Sequence, residues 1–143
     1  MSTFAWAANI SGDWNAGTLW TPASVPNAVA ADVTIDAATT LAPYTVTIAS
    51  GETETVDSLS MNGTNNFVGT NNPGTYVGAE LELDGTLIFA PGSAGAFNGS
   101  FGTTVHESTC DTAAILNAGT INGFIQAAGT LLLSGANTVY ISN

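Results

Sequence analysis

Three acidic residues at alternate positions are the strongest candidates for chemistry in this sequence. Glu80, Glu82 and Asp84 are separated by two leucines, so in a β-strand the acids share one face, with about 7 Å between successive side chains. This pattern is typical of a solvated outer face, which is the interpretation we favour. Because Ca²⁺ binds carboxylate oxygens, the three acids are also a candidate calcium site. Glycosidases use paired carboxylates too, but we expect no catalytic role here.

The charge balance excludes several classes of function. The chain of 143 residues has eleven acidic residues and no Lys or Arg. Nucleic-acid binding through phosphate neutralisation is therefore excluded, and so is attachment to an anionic membrane surface. The acidic side chains must be solvated, hydrogen-bonded to backbone N–H groups or bound to a metal such as Ca²⁺. The chain also lacks the Lys or Arg base of polysaccharide lyases, and we expect that it is not an enzyme.

Apart from calcium, the sequence indicates no cofactor, and it indicates no membrane insertion. Cys110 is the single cysteine, so the chain has no internal disulfide. Residues 1–10 lack the basic and apolar regions of a secretory signal peptide. Apolar runs stay well below the roughly twenty residues of a membrane-spanning helix. If the protein is exported, we expect its signal to lie elsewhere or to have been removed.

Short apolar runs that alternate with polar residues predict an all-β fold. The alternation is clearest at residues 33–35, 44–48, 56–61 and 79–90. From residue 114 to residue 142, β-branched runs recur about every ten residues between Gly, Asn and Ser. This repeat has no helical period and favours a right-handed parallel β-helix, which is a β-solenoid. An antiparallel β-sandwich or jelly roll is the alternative, since it uses similar short strands.

We expect residues 1–143 to form one domain with distinct parts. Residues 1–32 hold all three tryptophans and are expected to cap the first coil of the solenoid. Residues 33–143 are expected to form the coils, with about twenty residues in each. Residues 62–78 are rich in Asn, Gly and Thr and contain a proline, so we expect a loop insertion there.

Several N-terminal motifs and one later repeat resemble a known family. The motifs are Trp6, Ser11-Gly12-Asp13-Trp14-Asn15, Trp20, Val25-Pro26-Asn27, Asp32-Val33-Thr34-Ile35 and the repeat Leu116–Ile121. Together they resemble large bacterial extracellular β-helix proteins, which include autotransporter-like adhesins and long surface or matrix repeat proteins. The resemblance implies a β-helix that is attached to a surface or forms a matrix, and it carries over no catalytic residue.

Composition and resemblance together lead to an expected function. We expect a non-enzymatic extracellular or cell-surface bacterial protein, a self-associating subunit or fragment of a surface filament, biofilm matrix or adhesin. Its main partner is then a second copy of itself, bound by pairing of β-strand edges. The expected assembly residues are Thr138, Val139, Tyr140 and Ile141.

A glycan-binding module is the alternative function, with ice as a lesser alternative ligand. In that case Trp14 and Trp20 are the candidate sugar contacts, because exposed aromatic rings stack on sugars. An enzyme that acts on polysaccharide is a remote further alternative, and it requires two carboxylates that converge across neighbouring coils.

Overall fold

Short β-strands make up almost all of the regular structure. The structure, a computed structural model, describes residues 1–7, 10–36, 44–66, 75–90, 96–99, 104–107, 112–117, 120–122, 124–127, 130–135 and 140–141. The strands are β1 (Ser2–Trp6), β2 (Gly12–Asp13), β3 (Trp20–Thr21), β4 (Ala31–Asp36), β5 (Tyr44–Ile48), β6 (Thr53–Val56), β7 (Ser58–Asn66), β8 (Thr75–Leu83), β9 (Thr86–Phe89), β10 (Ala96–Gly99), β11 (Thr104–Glu107), β12 (Thr112–Leu116), β13 (Thr120–Asn122), β14 (Phe124–Ala127), β15 (Thr130–Leu133) and β16 (Tyr140–Ile141). A 3₁₀ helix at Gly17–Leu19 precedes β3. The predicted all-β class is confirmed.

The strands pair in three parallel ladders. Ladder A contains β1, β4, β7, β10 and β13 in that order. Ladder B contains β2, β5, β8, β11, β14 and β16. Ladder C contains β6, β9, β12 and β15, and it forms a separate 4-stranded sheet. Among the described residues only β1–β3 and β7–β8 pair antiparallel, which contradicts the antiparallel sandwich as the alternative fold.

Alternation along the strands places the apolar side chains in a common core, as the sequence predicts. Val33 and Ile35 of β4 are buried, and the threonine between them is partly exposed. The same holds in β5, β8 and β9, whose buried residues include Val46, Leu81 and Leu87. Since burial of one such side chain stabilises the fold by about 1.5–3 kcal/mol, this alternation also fixes which face of each strand points inward.

Residues 56–61, predicted as one strand, belong to two. Strand β6 ends at Val56 and β7 begins at Ser58, with Asp57 at the corner between them. The N–H of Asp57 donates a hydrogen bond to the carbonyl of Ala31, at 2.7 Å, which ties the corner to ladder A. The chain therefore turns from ladder C to ladder A at a residue that carries no glycine or proline signal.

The segment 62–78, predicted as a loop, contains two paired strand ends. Residues 63–66 of β7 pair antiparallel with residues 75–78 of β8, and Thr64 lies opposite Val77. Residues 75–77 are β-branched or aromatic and fit a pleated strand, whereas residues 63–66 include a glycine and two asparagines, which strands usually disfavour. Residues 67–74 lie outside the described residues. The antiparallel arms join ladders A and B into one 12-stranded sheet of described strands.

Candidate functional site

The three acids of the candidate calcium site lie on β8 and in the turn that follows it. Glu80 and Glu82 pair in register with two threonines of β5. Strand β8 ends before Asp84, whose N–H donates to the carbonyl of Ile48 at 2.9 Å. The side chain of Glu80 lies outside the described residues, and Glu82 is half-buried. Where side chains are described, no three His, Cys, Asp or Glu residues gather as metal ligands do, so calcium stays a prediction.

Other acidic side chains accept hydrogen bonds from backbone N–H groups, which is one of the three environments expected from the composition. Oδ1 of Asp13 accepts from the N–H of Asn15 at 2.7 Å. Oε2 of Glu52 accepts from the N–H of Ala49 at 2.8 Å. In each case the partner lies two or three residues away, so the carboxylate stabilises a local turn. These acids therefore have structural partners without any Lys or Arg.

Trp14 and Trp20, the candidate sugar contacts, lie inside the protein. Their side chains are 0% and 1% exposed, and their ring centroids are 4.9 Å apart. Nε1 of Trp14 donates to the carbonyl of Pro26 at 3.2 Å, and Nε1 of Trp20 donates to the carbonyl of Trp14 at 2.7 Å. A ring that stacks on a sugar must be exposed. The prediction that these two residues contact a glycan is therefore wrong, because their rings are buried and pack in the core.

The predicted assembly residues lie at the last strand of ladder B. Tyr140 and Ile141 form β16 and pair in parallel with Phe124 and Ile125 of β14. Thr138 and Val139 lie outside the described residues, as do the side chains of the other two. The structure thus places half of the predicted set on a strand that is terminal in its ladder among the described strands.

We call the strands β1, β2 and β6, which begin the three ladders, the N-terminal end of the ladders. At this end, Asn27 covers the outer side of β6. Its Nδ2 donates to the carbonyl of Thr53 at 3.3 Å, and its Oδ1 accepts from the N–H of Thr55 at 2.9 Å. The N–H of Ala28 donates to the carbonyl of Thr55 at 2.8 Å. One side-chain amide and one backbone N–H therefore satisfy the groups that a further strand would pair with.

Leu19 and Trp6 pack against one face of β2, the first strand of ladder B. A Cβ atom added to Gly12 would lie 2.4 Å from Cδ1 of Leu19 and 3.3 Å from the ring of Trp6. A side chain at position 12 would therefore require Leu19 and the ring of Trp6 to move. Nε1 of Trp6 also donates to the carbonyl of Ile10 at 3.0 Å, just before this strand.

An antiparallel strand covers β1, the first strand of ladder A. In the pairing of β1 with β3, Ala5 lies opposite Thr21 and Trp6 opposite Trp20. Strand β3 has two residues and is followed by Pro22, which has no N–H to offer a further strand. The outer edges of β1 and β6 are thus paired with residues that precede β4.

We call β13, β15 and β16 the C-terminal end of the ladders, and it differs in two ways. Within the described residues each of these strands pairs on one side only. Leu132 on β15 is 54% exposed, which is similar to Ile10 and Val29 near the N-terminal end. All eleven acidic residues lie at or before Asp111, so residues 112–143 carry no charged side chain. The two differences are therefore pairing on one side among the described residues and the lack of charged side chains.

Glu54 is a residue of the N-terminal end that the sequence analysis missed. It lies on β6 and is 2% exposed, the single buried charged residue among those described. In register it is followed by Leu87, then by Ile115 and Leu133, so it begins an inward-facing column of apolar side chains. Because Glu54 has the same parity as Val56, strict alternation through residues 53–56 is the signal that could have found it.

The environment of Glu54 favours its protonated form. Burial raises the pKa of its carboxyl group, the hydrogen bond from Nδ2 of Asn15 to Oε1 at 3.1 Å lowers it, and nearby Glu52 and Asp13 raise it. Oε2 is buried and has no hydrogen-bond partner among the described residues. An inward-pointing acid on an outermost strand is a known means of preventing further strand pairing, because pairing would bury it more deeply.

Comparison with known proteins adds no relative. No family model, no curated protein and no solved structure matches this chain. Within the described residues, no helix has the length and hydropathy needed to cross a membrane. In the described part of the chain, the pairing of the terminal strand edges is therefore the feature that bears most directly on function.

Proposed function

We propose that this chain is a non-enzymatic structural protein with the architecture of a right-handed parallel β-helix. It associates with further copies of itself through strand edges at the C-terminal end of its ladders. The difference between the two ends of the ladders is the observation that carries this proposal. One end is covered by the chain's own residues, whereas the other presents uncharged strands.

The order of the strands supports a β-helix. Strands β4, β5 and β6 lie in ladders A, B and C, and the chain then visits the same ladders with β7, β8 and β9. Strands β10 to β12 and β13 to β15 repeat this cycle. Val105 pairs with Ile125, twenty positions further along the chain, whereas Leu59 pairs with Phe97, thirty-eight positions further. The coils therefore vary in length, and only some have the length expected from the sequence. A right-handed path is the rule for crossovers between parallel strands.

A structural role is also supported by how the interior is filled. The inward positions of the described strands hold large apolar side chains, among them Leu59, Phe89 and Ile115, each 0% exposed. Interior packing of this kind stabilises a fold and provides no cleft for a polymeric substrate. The buried rings of Trp14 and Trp20 remove the aromatic contacts on which the glycan-binding alternative depended.

The place of action is inferred from the resemblance to bacterial extracellular β-helix proteins. In that setting the self-associating chain is a subunit or fragment of a surface filament, a biofilm matrix or an adhesin. The absence of Lys and Arg suits the same setting, since trypsin-like proteases have no cleavage site in the chain. The high negative charge makes the assembly responsive to salt and divalent ions, including Ca²⁺.

Self-association is tested by sedimentation velocity and electron microscopy over a wide range of protein concentration, with and without Ca²⁺. We expect larger species to grow with concentration. The variant Leu132→Glu places a charge on β15 and should weaken association at least about tenfold, or ~1.4 kcal/mol. The matched control is Val29→Glu, since Val29 is 65% exposed at the N-terminal end and lies away from the proposed contact.

Two results would contradict the proposal. A chain that stays monomeric at every concentration, with or without Ca²⁺, does not self-associate. Equal weakening by Leu132→Glu and Val29→Glu would mean that net charge, rather than the β15 edge, controls association. Circular dichroism of both variants checks that each retains the β-sheet spectrum of the original chain.

A further inference from the structure

We infer that Glu54 is a pH-sensitive switch: its neutral carboxyl group keeps residues 13–28 closed over β5 and β6, and these residues open more often once it is ionised. We call residues 13–28 the covering segment. This motion occurs within one chain, so it goes beyond the proposed self-association and does not depend on it. The burial of Glu54, the contacts of its two oxygen atoms and the attachments of the covering segment are the observations that support it.

Glu54 lies in the interior, where an ionised carboxylate is costly. Its side chain is 2% exposed, on the first strand of ladder C. Oε1 accepts one hydrogen bond, from Nδ2 of Asn15 at 3.1 Å, and Oε2 has no partner among the described residues. An ionised carboxylate can accept hydrogen bonds at both oxygens, so ionisation in place leaves one oxygen buried without a donor.

The charges around Glu54 also favour its neutral form. Burial is the largest cause that raises the pKa of its carboxyl group, and the bond from Asn15 offsets part of this rise. Glu52, just before β6, and Asp13, on β2, are the nearby charged groups, and each raises the pKa further. The chain has no Lys or Arg, and its one histidine, His106, lies on β11 in ladder B.

The column that Glu54 begins determines the side from which water can reach it. On the β9 side the next inward positions are Leu87, Ile115 and Leu133, and the first two are fully buried. On the other side the described partner of Glu54 is Asn15, in the turn that follows β2. Water therefore reaches the carboxyl group when the covering segment, which contains Asn15, moves away.

The covering segment is attached to the ladders by separate contacts with two strands. The N–H of Trp14 donates to the carbonyl of Thr47 on β5 at 2.8 Å. The N–H of Ala28 donates to the carbonyl of Thr55 on β6, also at 2.8 Å, and Asn27 adds two bonds to β6. These backbone bonds break when the segment opens, so the N–H groups of Trp14 and Ala28 report on its opening.

Closing of the segment and protonation of Glu54 are linked. In the open state the carboxyl group is hydrated and has the ordinary pKa of Glu, whereas in the closed state its pKa is raised. The closed state is therefore favoured fully below the ordinary pKa, and this advantage is lost as pH rises through the raised pKa. Between the two pKa values the equilibrium constant for opening increases by up to about tenfold per pH unit, and then it levels off.

Hydrogen exchange followed by NMR in dilute solution tests the switch. Protection factors, which correct for the intrinsic effect of pH on exchange, are measured for the amides of Trp14 and Ala28. The reference is the N–H of Ala114, which donates to the carbonyl of Gly85 at 3.1 Å, away from the covering segment. From acidic to neutral pH, protection at Trp14 and Ala28 should fall by about tenfold or more, and protection at Ala114 should change less.

Two variants identify the group that titrates. Glu54→Gln keeps an oxygen that can accept from Asn15 but cannot ionise, so protection at Trp14 and Ala28 should no longer depend on pH. Asp57→Asn makes the same change in net charge at the corner between β6 and β7, and it should keep the fall seen in the original chain. Circular dichroism confirms that each variant is folded.

Three results would overturn the switch. If protection does not fall in the original chain, Glu54 does not control opening. If Glu54→Gln keeps the fall, another group is responsible. Equal falls at Trp14 and Ala114 would mean that repulsion among the acids destabilises the whole chain. All of these measurements concern a single chain, whereas self-association is judged by sedimentation, so either proposal can fail while the other stands.

Discussion

The two ends of the ladders differ in whether described residues pair with the outer backbone groups of their terminal strands. A terminal strand always leaves a row of N–H and C=O groups on its outer side. At the N-terminal end these groups are met on β6 by Asn27 and Ala28 and on β1 by the short strand β3. At the C-terminal end the strands pair on one side only among the described residues, and residues 112–143 hold no charged side chain. Described residues therefore occupy outer backbone groups at the first end, and none is seen to do so at the second.

The comparison also separates two uses of large apolar side chains. At the N-terminal end three tryptophans pack against one another in the core. The ring centroids of Trp6 and Trp20 are 4.8 Å apart, and those of Trp14 and Trp20 are 4.9 Å apart. Leu132 at the C-terminal end is exposed, as Ile10 and Val29 are at the N-terminal end. The tryptophans stabilise the interior of the chain, whereas such singly exposed side chains contribute little to its stability.

The largest expected effect comes from removing a tryptophan of the N-terminal end. Trp14→Ala leaves a cavity beneath the covering residues and should lower the free energy of unfolding by about 3–5 kcal/mol. Leu132→Ala removes a side chain that is mostly exposed, so its change should stay within about 0.5 kcal/mol. Urea denaturation followed by circular dichroism measures both values.

A similar loss for the two variants would contradict the comparison between the ends, because it would mean that Leu132 is packed as firmly as Trp14. Trp14→Phe is a useful intermediate, since it keeps an aromatic ring but removes the indole N–H that donates to Pro26. The decrease in its free energy of unfolding should lie between the decreases for Trp14→Ala and Leu132→Ala.

A smaller effect is expected from uncovering β6. Asn27→Ala removes both side-chain hydrogen bonds to this strand, and since water can replace them in part, the free energy of unfolding should fall by about 0.5–1.5 kcal/mol. The variant should also form larger species than the original chain does at the same concentration, because β6 becomes open to pairing. Sedimentation velocity compares the two chains.

The matched control for this prediction is Asn27→Asp. Aspartate keeps the oxygen that accepts from the N–H of Thr55 but loses the donor to the carbonyl of Thr53, and its charge repels other copies. It should therefore lose stability without forming larger species. If Asn27→Ala sediments like the original chain at every concentration, covering of β6 is not what prevents stacking.

The sequence predicts the strands well because their pattern is local. Alternation at Val33 and Ile35 or at Leu81 and Leu83 needs no knowledge of distant residues, and those side chains are buried as expected. The corner at Asp57 is different, since its N–H is held by Ala31 and not by its sequence neighbours. The antiparallel arms of residues 63–66 and 75–78 were missed because Asn and Gly suggested a loop.

The covering contacts were harder to predict because their partners are far apart in the chain. Asn27 acts on β6, which begins twenty-six positions later, and nothing near Asn27 in the sequence specifies that role. Glu54 was missed for another reason, because charge was taken to mean exposure. Trp14 and Trp20 were proposed as sugar contacts from residue type alone, and the burial of both side chains contradicts that proposal.

The smallest expected effect is a pH dependence that sharpens the role of Glu54. Its carboxyl pKa is raised by burial, so the folded state binds the proton more tightly than the unfolded state does. This stabilising contribution is complete below the ordinary pKa of Glu, and it is lost as pH rises through the raised pKa of the folded state. By this contribution alone, the N-terminal end should be more stable in acidic than in neutral solution.

Glu54→Gln removes this titration while its amide oxygen can still accept from Asn15. Its free energy of unfolding should change less with pH than that of the original chain, as measured by urea denaturation from acidic to neutral pH. Asp57→Asn makes the same change in net charge outside the buried column, and it should keep the original slope. If both variants flatten the slope equally, general repulsion among the acids explains the pH dependence. If only Glu54→Gln does, the covered end of the ladders holds a buried acid whose proton contributes to its stability, a feature that the uncharged end lacks.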